Sequence, residues 1–586
     1  MYLRAVRVRG AGGVVHEYLR LVEAYWEQGR SKQRVVASLG RKDQLAPHVD
    51  RLVQLLRGDQ APGAAAGLGP PGQVAPTAAA SWGPFLVART LWRQLGVEAI
   101  LDQCEGPRRR RGRVPLADRA LVLVANRLAA PRSEHGLAAW LDTDFVCDRQ
   151  GRRVVPHWEQ RGRVQVNLTW LQRWYRTLDG LLAHKAQVEQ GLFLRLRDLF
   201  ALRPDLVFYD LTSTYFAGRG PTALAHHGHS RDGKPRNRQV LVGVVMVNGW
   251  PLAHHVFRGN LRDAQTVEAV IEDLERRFGL QRVVFVGGRG MVTTHNLALL
   301  KRRGHGYLVG VQRRRREAVY RLIGRATADA WIACPVGIAA GERAAPPATW
   351  VQEVAADAPG VRCFVVRSEE RLAYERAGRE QAMARTRLAL ERLQQRVATG
   401  RLKARDKIGA AAGRLLTRHH GHRYYGWALQ DGAFHFFEHP VHLPRERAYE
   451  GTYVIQTEEP DLHPVEAVRA YKELAEVERG FRDLKDVLEL RPVYHRRPER
   501  AQAHIFVAAL AFLLDRALEK QLKAARVPLS AAQALEALRT VHVVDVQVGG
   551  TSKRGVTSGS GRARQVLAAL GITDRQPPGP AAPGAA

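Results

Sequence analysis

Cysteine is scarce in this chain of 586 residues: Cys104, Cys147, Cys334 and Cys363 are all it has, and no two of them form a CxxC pair. That excludes a disulfide scaffold and a cysteine-based structural zinc site, and it suits a reducing cytoplasm. The motif HHGH occurs at 226–229 and again at 419–422, and without paired cysteines both copies read as local polar loops. Long apolar runs are missing too. The longest, IFVAALAFLL from Ile505, falls short of the ~20 residues that cross a bilayer and reads as a core helix. The N-terminus lacks the apolar stretch of a secretion signal, so a cytoplasmic protein without a membrane partner is expected. RGAGG at Arg9–Gly13 lacks the Gly-Lys-Ser/Thr ending of a phosphate-binding loop. Acidic residues are outnumbered, 57 Asp plus Glu against 90 Lys plus Arg, for a formal net charge of +33. A polyphosphate partner fits that imbalance, although genomic composition bias could account for part of the arginine excess. Basic clusters fall at Arg108–Arg111 with Arg113, at Arg313–Arg316, and at His495-Arg496-Arg497.

What is present is concentrated in AYKELAEVERGFRDLK, Ala470–Lys485. At 100° per residue of a helix, Tyr471, Leu474, Glu478 and Lys485 fall within roughly 60° of one another. They border an apolar stripe of Val477, Phe481, Leu484 and Leu488. A carboxylate at such a rim can ligate a metal ion, while a tyrosine and a lysine along the same side can hold phosphate oxygens. An amphipathic helix with charges at its border produces the same pattern without any chemistry.

A second segment, LVFYDLTSTYF at Leu206–Phe216, has the β-branched and aromatic content of a strand yet carries Asp210 in its middle. A carboxylate there is costly unless paired, hydrogen-bonded or metal-bound, and Thr212 is one neighbour that could satisfy it. Strand-like runs follow at QVLVGVVMV from Gln239 and PLAHHVF from Pro251. A helical segment at Gln265–Phe278 and RVVFVGG at Arg282–Gly288 come next. Strands followed by strand and helix in alternation predict an α/β fold, a mixed sheet with helices packed on it.

Taken in order, Asp210, the pair Gly259–Asn260 with Asp263, Gly288-Arg289-Gly290-Met291 and the helix around Glu478 resemble an insertion-sequence DDE transposase. More narrowly, the chain resembles the branch with a tyrosine–arginine–glutamate–lysine signature in its last catalytic helix. The likeness runs from YLRAVRVRGAGGVVHEYLRLVEAYWEQG through YEGTYVIQTEE at Tyr449 to AHIFVAALAFLL at Ala503. It implies an RNase H-like fold and two-metal phosphoryl transfer with Mg²⁺ or Mn²⁺, the two ions roughly 3.5–4 Å apart. Asp210 and Glu478 are then the catalytic and metal-ligating carboxylates. Tyr471, Lys485, Arg482, Arg496 and Arg497 become DNA contacts. The chain departs from the family pattern at two positions. Leu474 stands where the signature has arginine, with Arg479 and Arg482 near enough to replace part of its charge. Gly288 stands where the family's Asp-Arg-Gly-Met has the middle carboxylate, and no acidic residue lies between Glu275 and Glu317 to take over locally, which leaves Asp263, approaching from its own loop, as the candidate replacement.

Punctuation predicts several domains. Residues 1–45 read as a small module, a strand pair plus a helix over EYLRLVEAYWEQG, and 46–81 as a flexible Gly/Ala/Pro linker. Residues 82–202 read as helical, either a domain that binds transposon ends or a packing and dimerisation domain. The first part of the core is expected at 203–312 and its last part, with the catalytic helix, at 464–545. Between them, 313–463 reads as a long insertion with strands around Asp431-Gly432 and a charged helix from Glu369 to about Gly400. Aromatic residues in it, Trp331 and Trp427, could stack on a base or fill a core. The stretch 546–586 reads as a basic, disordered tail.

Two functions therefore stand side by side. One is a metal-dependent DNA transposase that cuts at element ends and joins the 3′-hydroxyl to a target, acting as a homodimer in a synaptic complex on double-stranded DNA in the nucleoid. The other is a transposase-derived DNA-binding protein without catalysis. Gly288 separates them.

Overall fold

The computed structural model describes residues 2–9, 15–27, 30–41, 74–106, 114–154, 168–200, 205–291, 293–311, 316–335, 348–418, 420–548 and 551–578. The basic clusters at 108–113 and 313–315 and the expected linker over 46–73 lie outside these residues. The chain divides into two compact units. The first comprises Met1–Arg203, Leu211–Leu261 and Glu478–Ala586, and the second Pro204–Asp210 and Arg262–Val477.

At the start of the chain, β1 (Tyr2–Arg9), β2 (Val15–Glu27) and β3 (Arg30–Arg41) form an antiparallel sheet with β2 in the centre. The segment expected to be a helix is thus the middle strand. Its Val, Tyr and Trp residues favour the extended backbone, and β1 and β3 hydrogen-bond it on both edges. The end of the expected linker is likewise ordered, as β4 (Val74–Ser81).

Helices at Gly83–Gln94, Val97–Glu105, Leu116–Ala129, Leu137–Thr143, Leu168–Ala183 and Lys185–Phe200 follow. They share the first unit with the long helix Pro498–Ala524, which runs against Leu116–Ala129 and Leu168–Ala183. The helical region 82–202 is therefore built into the same body as the end of the chain. Among the described residues, Pro498–Ala524 is the one helix long and apolar enough to cross a membrane. Within the fold, 83% of its apolar window is buried, as a core helix requires.

Strand β5 (Leu206–Tyr215) gives its first residues, through Asp210, to the second unit and the rest to the first. In the first unit the order is β5, then β6 (Gln239–Val247), then β7 (Trp250–Arg258). Between β6 and β7 the pair Asn248-Gly249 has φ of 49° and 72°, the two left-handed residues that match a tight turn to the twist of a hairpin.

The second unit continues with β8 (Val284–Gly287), β9 (Gly306–Gly310), β10 (Ile332–Ala333), β11 (Thr349–Val354) and β12 (Arg362–Ser368). After these come the hairpin of β13 (Tyr425–Gln430) and β14 (Ala433–Glu438), and then β15 (Thr452–Thr457). The sheet order is β10-β11-β12-β15-β9-β8-β5, with β5, β8 and β9 parallel and the other pairs antiparallel. The segment expected wholly as an insertion thus does two things. Its β10, β11, β12 and β15 extend the sheet, while the helices Glu369–Ala398 and Arg405–Arg418 with β13 and β14 enclose a separate core of Leu390, Leu393, Ile408, Ala412 and Phe434. Asp431-Gly432 makes the expected turn, with φ of 49° and 76°.

The chain ends back in the first unit. Strand β16 (His542–Val548) pairs with β4 on one side and with β17 (Thr551–Val556) on the other. A helix at Gly561–Ala569 buries Val566 and Leu567, and the Trp82 indole N–H donates to the Arg575 carbonyl at 2.7 Å. Residues 551–578, expected as part of a disordered tail, are folded. Apolar residues spaced along a capped helix outweigh the basic composition there.

Glycine carries part of this architecture. A Cβ on Gly259, of the Gly259–Asn260 pair, would collide with the Gln239 carbonyl, and one on Gly228, in the first HHGH loop, would collide with the Gly259 carbonyl. Three backbone segments meet there with no room for a side chain. Gly259→Ala is expected to lower stability by about 1–3 kcal/mol, read as a shift in the denaturant midpoint of unfolding.

Candidate active site

In the second unit, β5 and β8 run parallel with Tyr209 opposite Gly287. That register sets the next residues of each strand, Asp210 and Gly288, side by side. A Cβ built at Gly288 would lie 3.5 Å from Asp210 Oδ1. A side chain at 288 would therefore enter the space that the Asp210 carboxylate already borders.

The chain leaves β8 in a short turn, Arg289–Met291, closed by the Met291 N–H donating to the Gly288 carbonyl at 3.1 Å. A second turn, Asp263–Thr266, abuts it. A Cβ at Gly290 would lie 2.7 Å from Asp263 Oδ2, so the Asp263 carboxylate reaches the same turn. Its position is held through its backbone. Thr266 Oγ1 donates to the Asp263 carbonyl at 2.7 Å and accepts from the Tyr209 hydroxyl at 2.9 Å. Asn296 Nδ2 donates to the carbonyls of Ala264 and Met291, each at 2.9 Å, and so ties the two turns together.

The helix Pro464–Arg482 spans the division between the units, which falls between Val477 and Glu478. In the second unit Leu474 and Val477 are buried, and the Tyr471 ring lies 5.8 Å from that of Tyr453. In the first, Glu478 is exposed, Phe481 is buried, and a Cβ on Gly480 would touch the Phe512 ring at 2.5 Å. The regular spiral stops at Arg482, because Asp483–Val487 is a π-helical turn. The projection that places Lys485 on the face of Tyr471 and Glu478 does not continue through that wider turn, a feature often found at functional sites.

Lys485 is largely buried and donates to Asp232 Oδ1 at 2.8 Å, and the same oxygen pairs with Arg491. Burial pulls the Lys485 pKa below its ordinary value, and the Asp232 carboxylate opposes that shift. The residue expected to meet phosphate is thus held by an internal carboxylate. Arg482, Arg496 and Arg497 are exposed. Asp232 sits in the polar run SRDGKPRNRQ, whose pattern held no periodic signal, and sequence reasoning missed it. Asn296 and Thr266 were missed for the same reason.

Also in the first unit, Glu134, His495 and His504 place one donor atom each within 4.8 Å of one another, a set that could hold a cation. Burial would raise the Glu134 pKa, but the hydrogen bonds of His495 and His504 prevail and hold it well below the carboxylate range. Arg127 Nη2 lies 3.5 Å from His504 Nδ1 and already supplies a positive charge there. Of the two tryptophans, Trp427 stacks on Phe434 at 5.8 Å in the helical core and Trp331 lies under Arg367. Both have packing roles.

The mixed sheet thus sets the Asp210 carboxylate on one strand beside the side-chain-free position 288 on the next. A family model of the transposase DDE domain matches residues 204–514, and the chain belongs to the DDE transposases. Such a protein is a DNA-binding, DNA-cleaving and DNA-transferring enzyme of a family that uses divalent metal ions. At the other end of the chain, residues 3–65 match the IS1634 family transposase N-terminal domain. No curated protein matches the chain.

Removing the carboxylate from the Asp232 pair leaves Lys485 and Arg491 facing each other in a buried setting. Asp232→Ala is expected to lose about 3–5 kcal/mol of stability in denaturant unfolding, and adding Lys485→Met should recover part of it.

Proposed function

We propose that this protein is the transposase of an insertion sequence, one that carries the tyrosine–arginine–glutamate–lysine signature as Tyr471, Leu474, Glu478 and Lys485. It binds terminal inverted repeats and cuts and transfers DNA strands as a homodimer in a synaptic complex, in the cytoplasm on the nucleoid. The observation that carries this reading is the approach of position 288 to the Asp210 carboxylate, at 3.5 Å from a Cβ built there. Of the residues present beside that position, Asp210 offers one hard oxygen donor suited to a divalent ion, and the open space at 288 leaves room for a ligand next to it.

When bound, two Mg²⁺ or Mn²⁺ ions would supply activation of the attacking oxygen and stabilisation of the leaving one. Asp210 and Glu478 are the residues to hold them. Gly288 offers no side-chain donor, and strand cleavage by this copy is weakened accordingly. The exposed Arg482, Arg496 and Arg497 take phosphates, Tyr471 is a further DNA contact, and Lys485 joins once a phosphate displaces Asp232. A second reading, a DNA-binding protein descended from a transposase, is favoured by one observation only, the glycine at 288.

The test is Mn²⁺-dependent cleavage of DNA carrying the inverted repeat that flanks the gene. Loss of even an outer-shell partner of a metal lowers affinity or activity about 10–100-fold. Gly288→Asp should therefore raise the cleavage rate at least about tenfold, and Glu478→Ala should abolish it. A Gly288→Asp protein that binds the repeat and does not cut would establish the second reading. Binding itself should show its charge contacts: Arg496→Ala and Arg497→Ala should each flatten the slope of log affinity against log salt by about 0.9.

A further inference from the structure

Besides Asp210, Asp263 brings a carboxylate to the turn that begins at the glycine. The turn runs Gly288-Arg289-Gly290-Met291, and Asp210 touches its first position while Asp263 touches its third. The two side chains thus flank a segment whose ends are at most about 7 Å apart. The glycine at 290 has a steric role as well, because any Cβ there would lie 2.7 Å from Asp263 Oδ2 and push that carboxylate off the turn.

Asp263 is also fixed in place before any ligand arrives. Its carbonyl is bonded to Thr266, Thr266 is bonded to Tyr209 next to Asp210 in β5, and Asn296 fastens the Asp263 turn to the β8 turn. A ligand side chain held by such neighbours loses little freedom on binding a metal, which is how outer groups sustain affinity at metal sites.

We infer that Asp263 stands in for the side chain missing at Gly288, giving this copy a second carboxylate oxygen donor for a divalent cation at Asp210. The inference rests on the reading of the protein as a metal-dependent transposase. It adds that the native chain keeps a working cation site despite the glycine. The replacement is specific to this arrangement. With an aspartate at 288, the donor next to Asp210 would come from β8 and Asp263 would be dispensable.

The test uses the full-length protein and Mn²⁺, counting free ion by electron paramagnetic resonance, with thermal melting as the control for folding. In the native background, Asp210→Asn and Asp263→Asn should each weaken Mn²⁺ binding at least about tenfold. In the Gly288→Asp background, Asp263→Asn should change affinity by less than about threefold while Asp210→Asn still abolishes tight binding. Unchanged affinity in native Asp263→Asn, with loss in Asp210→Asn, would overturn the role of Asp263 and leave the transposase reading intact. Equal losses from Asp263→Asn in both backgrounds would overturn it as well, since they would mark a residue that holds the turn. If neither the native protein nor Gly288→Asp binds Mn²⁺ or cuts repeat DNA, the transposase reading of the site falls, and the inference with it.

Discussion

Parallel hydrogen bonding of β5 to β8 sets Tyr209 opposite Gly287, and the candidate site depends on that register more than on any single side chain. Shifted by one residue, Asp210 would face the opposite side of the sheet from position 288. The register is secured by buried apolar residues along both strands, among them Val207, Phe208, Phe285 and Val286. The hydroxyl of Tyr209, buried between them, reaches Thr266 and so fixes the next turn as well. Chemistry at the strand ends is thus inherited from packing along their length.

Glycine has three different meanings in this chain. At Gly259 it permits backbone segments to cross, and at Gly290 it leaves room for the Asp263 carboxylate. At Gly288 the 3.5 Å of space to Asp210 is ordinary van der Waals distance, so nothing steric requires a glycine there. The absence of a side chain at 288 is therefore not a packing demand. That distinction is what makes the position informative about function.

Electrostatics follow a similar division. The large positive charge suits a DNA partner, yet the lysine most suggestive of a phosphate contact is buried on Asp232 together with Arg491. Arg482, at the end of the Pro464–Arg482 helix, and Arg496 and Arg497 beyond it have no such burial. An overall charge says that a polyanion is attracted and does not say which cation meets it. Burial and the nearest carboxylate decide that, and both are tertiary properties.

Local patterns were enough for much of the fold. The alternating pattern around Asp431-Gly432 made that hairpin legible, and the apolar stripe of Val477, Phe481, Leu484 and Leu488 marked the helix that carries Glu478. The same patterns misled at Val15–Glu27, where the choice between helix and strand lay with neighbouring strands, and at β4 and the C-terminal segment, whose partners are distant in the chain. Asp210 and Glu478 could be read directly, because each is a residue type at a position that a strand or helix pattern makes conspicuous, whereas Gly288 stood out only through the family resemblance. Asn296 bridging two turns and Asp232 on Lys485 could not, and Asp263 could be named as a replacement carboxylate but not placed at the β8 turn. Each acts through a partner from 27 to more than 250 residues away, as the separations Asp263 to Gly290 and Asp232 to Lys485 illustrate. Periodicity reports what a segment does within itself. Only the folded chain, by bringing those segments into register, determines which carboxylate stands beside which turn.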